Sequence, residues 1–126
     1  MKLQLRDNLP FTSLLLSYHG QQVEISPVLI DTGSASTMLS ADVVAQVGII
    51  PQEDDTLFTI RGVGGVEVVY TRQVDKLTLG EKSLDKFMIE LGGMDYGFEI
   101  NGILGMDYLA AARAIINLNS FEINFA

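Results

Sequence analysis

The chain of 126 residues contains no cysteine and a single histidine, His19. Without thiols there is no disulfide framework, no thiolate nucleophile and no cysteine-ligated zinc, and the composition fits a reducing, cytoplasmic compartment. One histidine in a turn-forming stretch supplies neither a Ser-His-Asp triad nor a multi-histidine metal site, so neither metal nor cofactor is expected. Basic residues are scarce as well. Eight Lys and Arg against sixteen Asp and Glu give a formal charge of -8, which disfavours the phosphate backbone of nucleic acid and anionic membrane surfaces. No run approaches the roughly 18 apolar residues of a membrane span. The start, Met1-Lys2-Leu3-Gln4-Leu5-Arg6-Asp7, lacks the basic-then-apolar pattern of a signal peptide. The chain as given is expected to be soluble and free of membrane contact, a reading that a trimmed signal or an anchor in a longer protein would not contradict.

What is present is β-rich. A chain of this length suits one domain, residues 1–126, burying about two-thirds of its unfolded surface around a single core. Residues 12–18 and 23–30 read as two strands of a hairpin around His19-Gly20-Gln21-Gln22. Ser40 can cap a short helix over 41–47, with Asp42 in its first turn and Gly48 past its end. Residues 57–60 and 66–74 read as strands flanking Gly62-Val63-Gly64-Gly65, where three glycines in four positions permit positive φ. Further strands follow at 77–79 and 87–91, a short helix at 107–113 and a closing hairpin at 114–118 and 121–125. Glu53-Asp54-Asp55 reads as a solvated acidic loop rather than a cation site.

The chemistry concentrates in Val28-Leu29-Ile30-Asp31-Thr32-Gly33-Ser34-Ala35-Ser36-Thr37. An apolar strand ends abruptly on a carboxylate, followed by a hydroxyl residue and a glycine. An acid at the end of a buried strand must be hydrogen-bonded or shifted in pKa to be tolerated, and such positions are enriched in chemistry. An Asp-Thr-Gly tripeptide by itself is also an ordinary turn. Downstream lies Asn101-Gly102-Ile103-Leu104-Gly105-Met106-Asp107-Tyr108-Leu109, and between the two lies Ile60-Arg61-Gly62-Val63-Gly64-Gly65-Val66.

In that order the three segments resemble the signatures of the pepsin-type aspartic proteases, and of their single-domain retropepsin-like branch in particular. The resemblance spans almost the whole chain. It implies that Asp31 is catalytic, that Thr32 hydrogen-bonds across a dimer, and that Gly33 and Ser34 donate to the Asp31 carboxylate. It implies that Ile103, Leu104 and Gly105 support the active loop from behind. Ile60, Gly62, Val63, Gly64, Gly65 and Val66 would form a flap that folds over an extended peptide, with side-chain pockets lined by Ile60, Val63 and Leu104. Retroviral members usually have Arg directly after the supporting glycine. This chain has Met106 and then Asp107, as in the retropepsin-like domains of cellular proteins.

Hydrolysing a peptide bond without a metal or a covalent nucleophile needs one group to take a proton from water and another to protonate the carbonyl and then the leaving nitrogen. Two facing carboxylates sharing one proton do both. The chain holds one such loop: Asp95-Tyr96-Gly97 echoes the tripeptide, but Tyr cannot act as the small hydroxyl and no apolar strand delivers that acid. Gly62-Val63-Gly64-Gly65 lacks the spacing and the Lys-Ser/Thr of a phosphate-binding loop. The expectation is therefore an all-β, closed barrel-like retropepsin fold with two short helices. Two copies would assemble into a homodimeric aspartic endopeptidase acting on a peptide or protein substrate. The alternatives are a non-catalytic dimerisation or peptide-binding module of the same fold, or one half of a heterodimeric protease.

Overall fold

The first long hairpin turns on His19-Gly20, whose φ angles are both positive, 48° and 81°. A two-residue turn of that hand matches the twist of the strands it joins, and glycine takes its second position without strain. In this computed structural model, which describes residues 1–62 and 65–126, the hairpin strands are β2 (Leu9–Tyr18) and β3 (Gln21–Ile30), preceded by β1 (Gln4–Arg6). After them come β4 (Met38–Ser40), α1 (Ala41–Val44), a 3-10 turn (Ala45–Val47), β5 (Phe58–Gly62), β6 (Gly65–Leu79) and β7 (Lys82–Gly92). The chain ends with β8 (Gly102–Leu104), α2 (Met106–Ala111), β9 (Ala114–Asn117) and β10 (Glu122–Phe125).

Six strands close on themselves in the order β2-β3-β8-β4-β7-β6, with β6 returning to β2 through Leu15↔Thr78, Leu16↔Leu77 and Ser17↔Lys76. β1 lies outside this ring on β2, and β5 lies outside it on β6. β9 and β10 form a separate pair. The first residues run along β10, with Leu3 N–H donating to Phe121 O at 3.0 Å and Ile123 N–H donating to Met1 O at 2.9 Å.

Several boundaries differ from those expected of the sequence. The stretches 66–74 and 77–79 are one strand, β6, because Lys76 stays paired with Asp85 and Ser17 while Asp75 and Lys76 both turn their charged ends to solvent. Asp75 accepts the His19 N–H at 2.8 Å. The first helix makes only one α-turn before tightening to 3-10 geometry, with Ser40 Oγ accepting from Val43 N–H and Gly48 left-handed at φ 85°. The second helix ends at Ala111 because Arg113 adopts φ 56° to turn the chain into β9. β4 is too short to show alternation, and all three of its residues are buried. In the acidic loop, Asp55 is not solvated alone: it pairs with Arg72 on β6 at 2.6 Å, and Arg72 also donates to Ile50 O at 3.1 Å.

Alternation along the strands sorts the apolar side chains into two clusters. The main core contains Leu14, Leu16, Ile25, Val28, Ile30 and Leu104, among others. The second contains Phe11, Met38, Val69, Met94 and Ile100, with Leu29, Phe58, Ile60, Tyr96 and Ile103 packed against it. Within β3, Val28 and Ile30 thus face one cluster and Leu29 the other, as the period of two requires.

Tyr108 fastens α2 to the main core. It is 0% exposed, its ring meets Phe87 edge-on at 5.4 Å, and its hydroxyl lies 3.1 Å from Leu77 O and 3.0 Å from Lys82 O. Burial pushes its phenol up to about 12. Tyr108→Phe leaves those carbonyls without this donor and is expected to lower the unfolding free energy by about 1–2 kcal/mol, measured by urea denaturation at neutral pH. Between about pH 10 and 12 the unfolded tyrosine gives up its proton while the folded one keeps it, so stability falls as pH rises through that window. Tyr96, also raised to about 12, adds to the fall. The Tyr108→Phe variant should therefore lose stability less steeply than the parent over the same range.

Candidate active site

β3 and β8 run parallel, pairing Val28↔Gly102, Leu29↔Ile103 and Ile30↔Leu104. Asp31 N–H then donates to Leu104 O at 3.0 Å, the last rung before the chain turns away. Gly33 N–H donates to Asp31 Oδ1 at 2.9 Å, and Ser34 N–H donates to the Asp31 carbonyl at 3.2 Å. A Cβ on Gly33 would stand 3.2 Å from the same carboxylate oxygen, so glycine here lets the amide approach uncrowded. Asp31 is half-buried, while Thr32 and Gly33 are exposed at the rim.

The expected Ser34 hydroxyl contact with Asp31 is not what the described residues make. Ser34 Oγ donates to Ser36 O at 2.7 Å. The tight turn carries the hydroxyl back over its own loop, and only the Ser34 backbone reaches Asp31.

Behind the loop stands a second carboxylate. Asp107, in the first turn of α2, accepts from Thr37 N–H at 3.1 Å and from Thr37 Oγ1 at 2.7 Å. Thr37 Oγ1 in turn accepts Gly105 N–H at 3.1 Å, and Thr37 is fully buried. The free N–H groups that open a helix need partners, and here the Asp31 loop supplies them: Met106 N–H donates to Ser34 O at 2.8 Å and Asp107 N–H to Ala35 O at 3.2 Å. Gly105 sits where these segments touch. A Cβ there would lie 2.4 Å from Ser36 O and 2.9 Å from Ser34 O, both backbone atoms, so no side chain fits. Asn101 locks the other end of β8, its N–H on Pro27 O at 2.9 Å, its Nδ2 on Ser26 O at 2.7 Å, and its carbonyl accepting from Ser40 N–H at 2.9 Å. Neither Thr37, Asp107 nor Asn101 stands out in the sequence as a site residue. The available signal was their position within or beside the two quoted segments.

Ile103 and Leu104 divide between the clusters. Leu104 is 0% exposed in the main core, so it lines no pocket. Ile103, one residue earlier and on the opposite face, is half-buried against the second cluster beside Ile60. In the hairpin of β5 and β6, Ile60 pairs with Glu67 and Gly62 with Gly65. Val66 points outward, 62% exposed. The expected flap residues Val63 and Gly64 lie outside the described residues. Beside Thr32 a hollow of about 250 Å³ opens between Met106, Leu109, Ala110 and Ile116. Among the described residues, no group of three or more His, Asp or Glu is arranged to hold a metal ion.

If the Thr37 hydroxyl carries the loop tie, the isosteric Thr37→Val should lose roughly 2 kcal/mol of stability, while Thr37→Ser keeps most of it. Gly105→Ala should be harsher, because its methyl meets backbone. Urea titration of the three variants checks the order.

The comparisons with known proteins agree with this geometry. The profile of the family described as aspartyl protease matches residues 16–108, a span that includes Asp31, the β5–β6 hairpin, Gly105 and Asp107. No curated protein matches the sequence. Among solved structures, a retropepsin-like aspartic protease from Rickettsia conorii superposes with a TM-score of 0.66 at 16% identity, covering 94% of this chain and 92% of that one. With a closed barrel, two short helices and this match over most of its length, the chain belongs to the aspartyl protease family and has the retropepsin-like fold.

Proposed function

We propose that the chain is an aspartic endopeptidase that works as a homodimer, with Asp31 of each subunit holding the catalytic water between them. The observation that carries this reading is the mounting of Asp31. Its backbone is the last rung of β3 on β8, and Gly33 N–H orients its carboxylate at the rim of the barrel. A bracing layer of Gly105, Thr37 and Asp107 stands behind the loop. A rigid mount for a lone, half-buried acid at the rim suits a group that must meet its counterpart within hydrogen-bonding distance.

One such acid cannot both take a proton and give one to the substrate at the same moment. A symmetric pair supplies the second carboxylate at no cost in sequence, and a two-fold axis passing beside Asp31 brings identical loops into register. In the pair, adjacent like charges cannot both ionise cheaply, so one proton is shared. The ionised member takes a proton from water as its oxygen attacks the scissile carbonyl carbon. The protonated member gives its proton to the carbonyl oxygen. Collapse of the tetrahedral diol then breaks the C–N bond: the proton taken from water passes to the departing nitrogen, and one diol hydroxyl returns its proton to the other carboxylate, leaving a carboxylic acid product and the pair with its single shared proton. The apolar hollow beside the exposed Thr32 is a surface such an axis would cover.

The substrate in this reading is an extended polypeptide paired through its backbone with strand edges and covered by the β5–β6 hairpin. Ile60 and Ile103, half-buried on the second cluster, favour apolar side chains near the cut.

Asp31→Asn should retain the fold, seen as an unchanged thermal transition. Its cleavage of a denatured protein should fall by on the order of a thousandfold, and parental activity in this variant would refute the dyad. Specific activity should also fall on dilution in step with the dimer fraction measured by light scattering. Activity that stays constant in a wholly monomeric sample would point to a single-chain mechanism.

A further inference from the structure

The hairpin of β5 and β6 leaves the barrel at a definite point. From Tyr70 onward β6 pairs with β7, whereas residues 65–69 of β6 pair with β5, from Gly62↔Gly65 to Phe58↔Val69. Beyond that point the described backbone pairings fix the hairpin to itself and not to the barrel. Its angle over the barrel mouth must then be set by side chains on its inner face. Alternation identifies them: Val66 and Val68 point outward, 62% and 58% exposed, so Glu67 and Val69 point inward opposite Ile60 and Phe58. Three of these four are apolar members of the second cluster, and the fourth is a carboxylate.

Glu67 is fitted into a notch. Its Oε1 accepts Met94 N–H at 3.0 Å and its Oε2 accepts the Tyr96 hydroxyl at 3.0 Å. The notch exists because β7 ends on glycine: a Cβ at Gly92 would stand 2.7 Å from Glu67 Oε1 and 3.0 Å from Met38 Sδ. Each carboxylate oxygen already holds a donor from the loop 93–97, so the acid is matched to that loop rather than held open for a basic substrate side chain. Hydrogen bonds to a charged acceptor in a half-buried setting are among the stronger ones a side chain makes. The tie joins the hairpin to a loop that Ile100 and Met94 anchor on the same cluster as Ile103, next to the strand that supports Asp31.

We propose that Glu67 is a positioning residue that latches the β5–β6 hairpin to the loop 93–97 and so sets the height of the substrate cleft over Asp31. This rests on the reading of the hairpin as the cover of an aspartic protease site. In that role Glu67 touches neither water nor substrate. Its loss leaves the carboxylate pair intact and weakens the closed arrangement that grips the peptide.

The test uses the full chain and an internally quenched peptide cleaved by the parent. Glu67→Ala should raise KM about tenfold with kcat within about threefold, the signature of lost binding rather than lost chemistry. Glu67→Gln should stay within about threefold of the parent in KM, since its amide oxygen can accept from Met94 N–H while its NH2 donates to the Tyr96 oxygen. Tyr96→Phe should raise KM about threefold, and the Glu67→Ala, Tyr96→Phe double variant should be no worse than Glu67→Ala alone. Amides of 58–62 and 65–69 should exchange faster in Glu67→Ala while those of β2 and β3 stay unchanged, a readout independent of activity. An unchanged KM in Glu67→Ala, fully multiplicative effects of the two substitutions, or a uniform rise in exchange over the whole barrel would overturn the latch. If Asp31→Asn is inactive while Glu67→Ala keeps the parental KM, only the latch falls. If Asp31→Asn remains active, the protease reading itself falls.

Discussion

The arrangement at the barrel rim depends on Asp107, a carboxylate that stands behind the proposed chemistry and outside it. By accepting both the N–H and the hydroxyl of Thr37, it turns that hydroxyl's lone pair toward Gly105 N–H, so a helix, a loop and a strand meet on one buried threonine. Each link removes an unpaired polar group from a dry region, where leaving one unpaired is costly. The same junction supplies carbonyls of Ser34 and Ala35 to the first turn of α2. The Asp31 loop thus acts as the N-terminal cap of the helix, and neither can shift without exposing the other's donors. Where the resembled viral proteins carry an arginine after the supporting glycine, this chain braces its loop with neutral-to-charged hydrogen bonds inside one subunit.

A period of two does the rest of the placing. Because Val28 and Ile30 face the main core, Leu29 and Asp31 share the opposite parity, and Leu29 packs with Ile60 and Ile103 in the second cluster. The acid is therefore delivered on the side of the sheet that carries the hairpin. The second cluster serves as a floor between the two. Its members come from β2, β3, β4, β5, β6 and β8 and from the loop 93–97, which makes it a common base for the strand that carries the acid and for the β5–β6 hairpin.

The signature segments were legible because each joins a local pattern to a physical need: an apolar run ending on an acid, a glycine where backbones touch, glycines between two strands that pair with each other. Long strands and both helices were legible for the same reason, through periodicity and caps such as Ser40 and Gly48. What escaped was short or distant. β4 has three residues, all buried, and gives no alternation to read. The division of 66–79 into two strands followed from Asp75 and Lys76, polar residues that the barrel keeps in register because their ends reach solvent. Thr37 and Asp107 are seventy positions apart, and Glu67 meets Tyr96 across twenty-nine. Pairings of that span depend on topology that no window of sequence contains. Leu104, expected beside a pocket, lies in the main core while Ile103 faces the second cluster, a one-residue difference in parity of the kind that flips a side chain to the other face.

Closure of the barrel rests on a short seam. Only three residue pairs, Leu15↔Thr78, Leu16↔Leu77 and Ser17↔Lys76, join β2 to β6, against the long local ladders of β2 with β3 and β6 with β7. Those hairpins bring near neighbours together, whereas the seam and the parallel β3–β8 contact must wait for remote parts of the chain to arrive, and loop-closure entropy makes such contacts slow. Without the seam, the edges of β2 at 15–17 and of β6 at 76–78 would be bare and open to pairing with another strand. The strand that closes the ring, β6, is also the strand that bears the β5–β6 hairpin, so loss of the seam would loosen the base from which that hairpin projects.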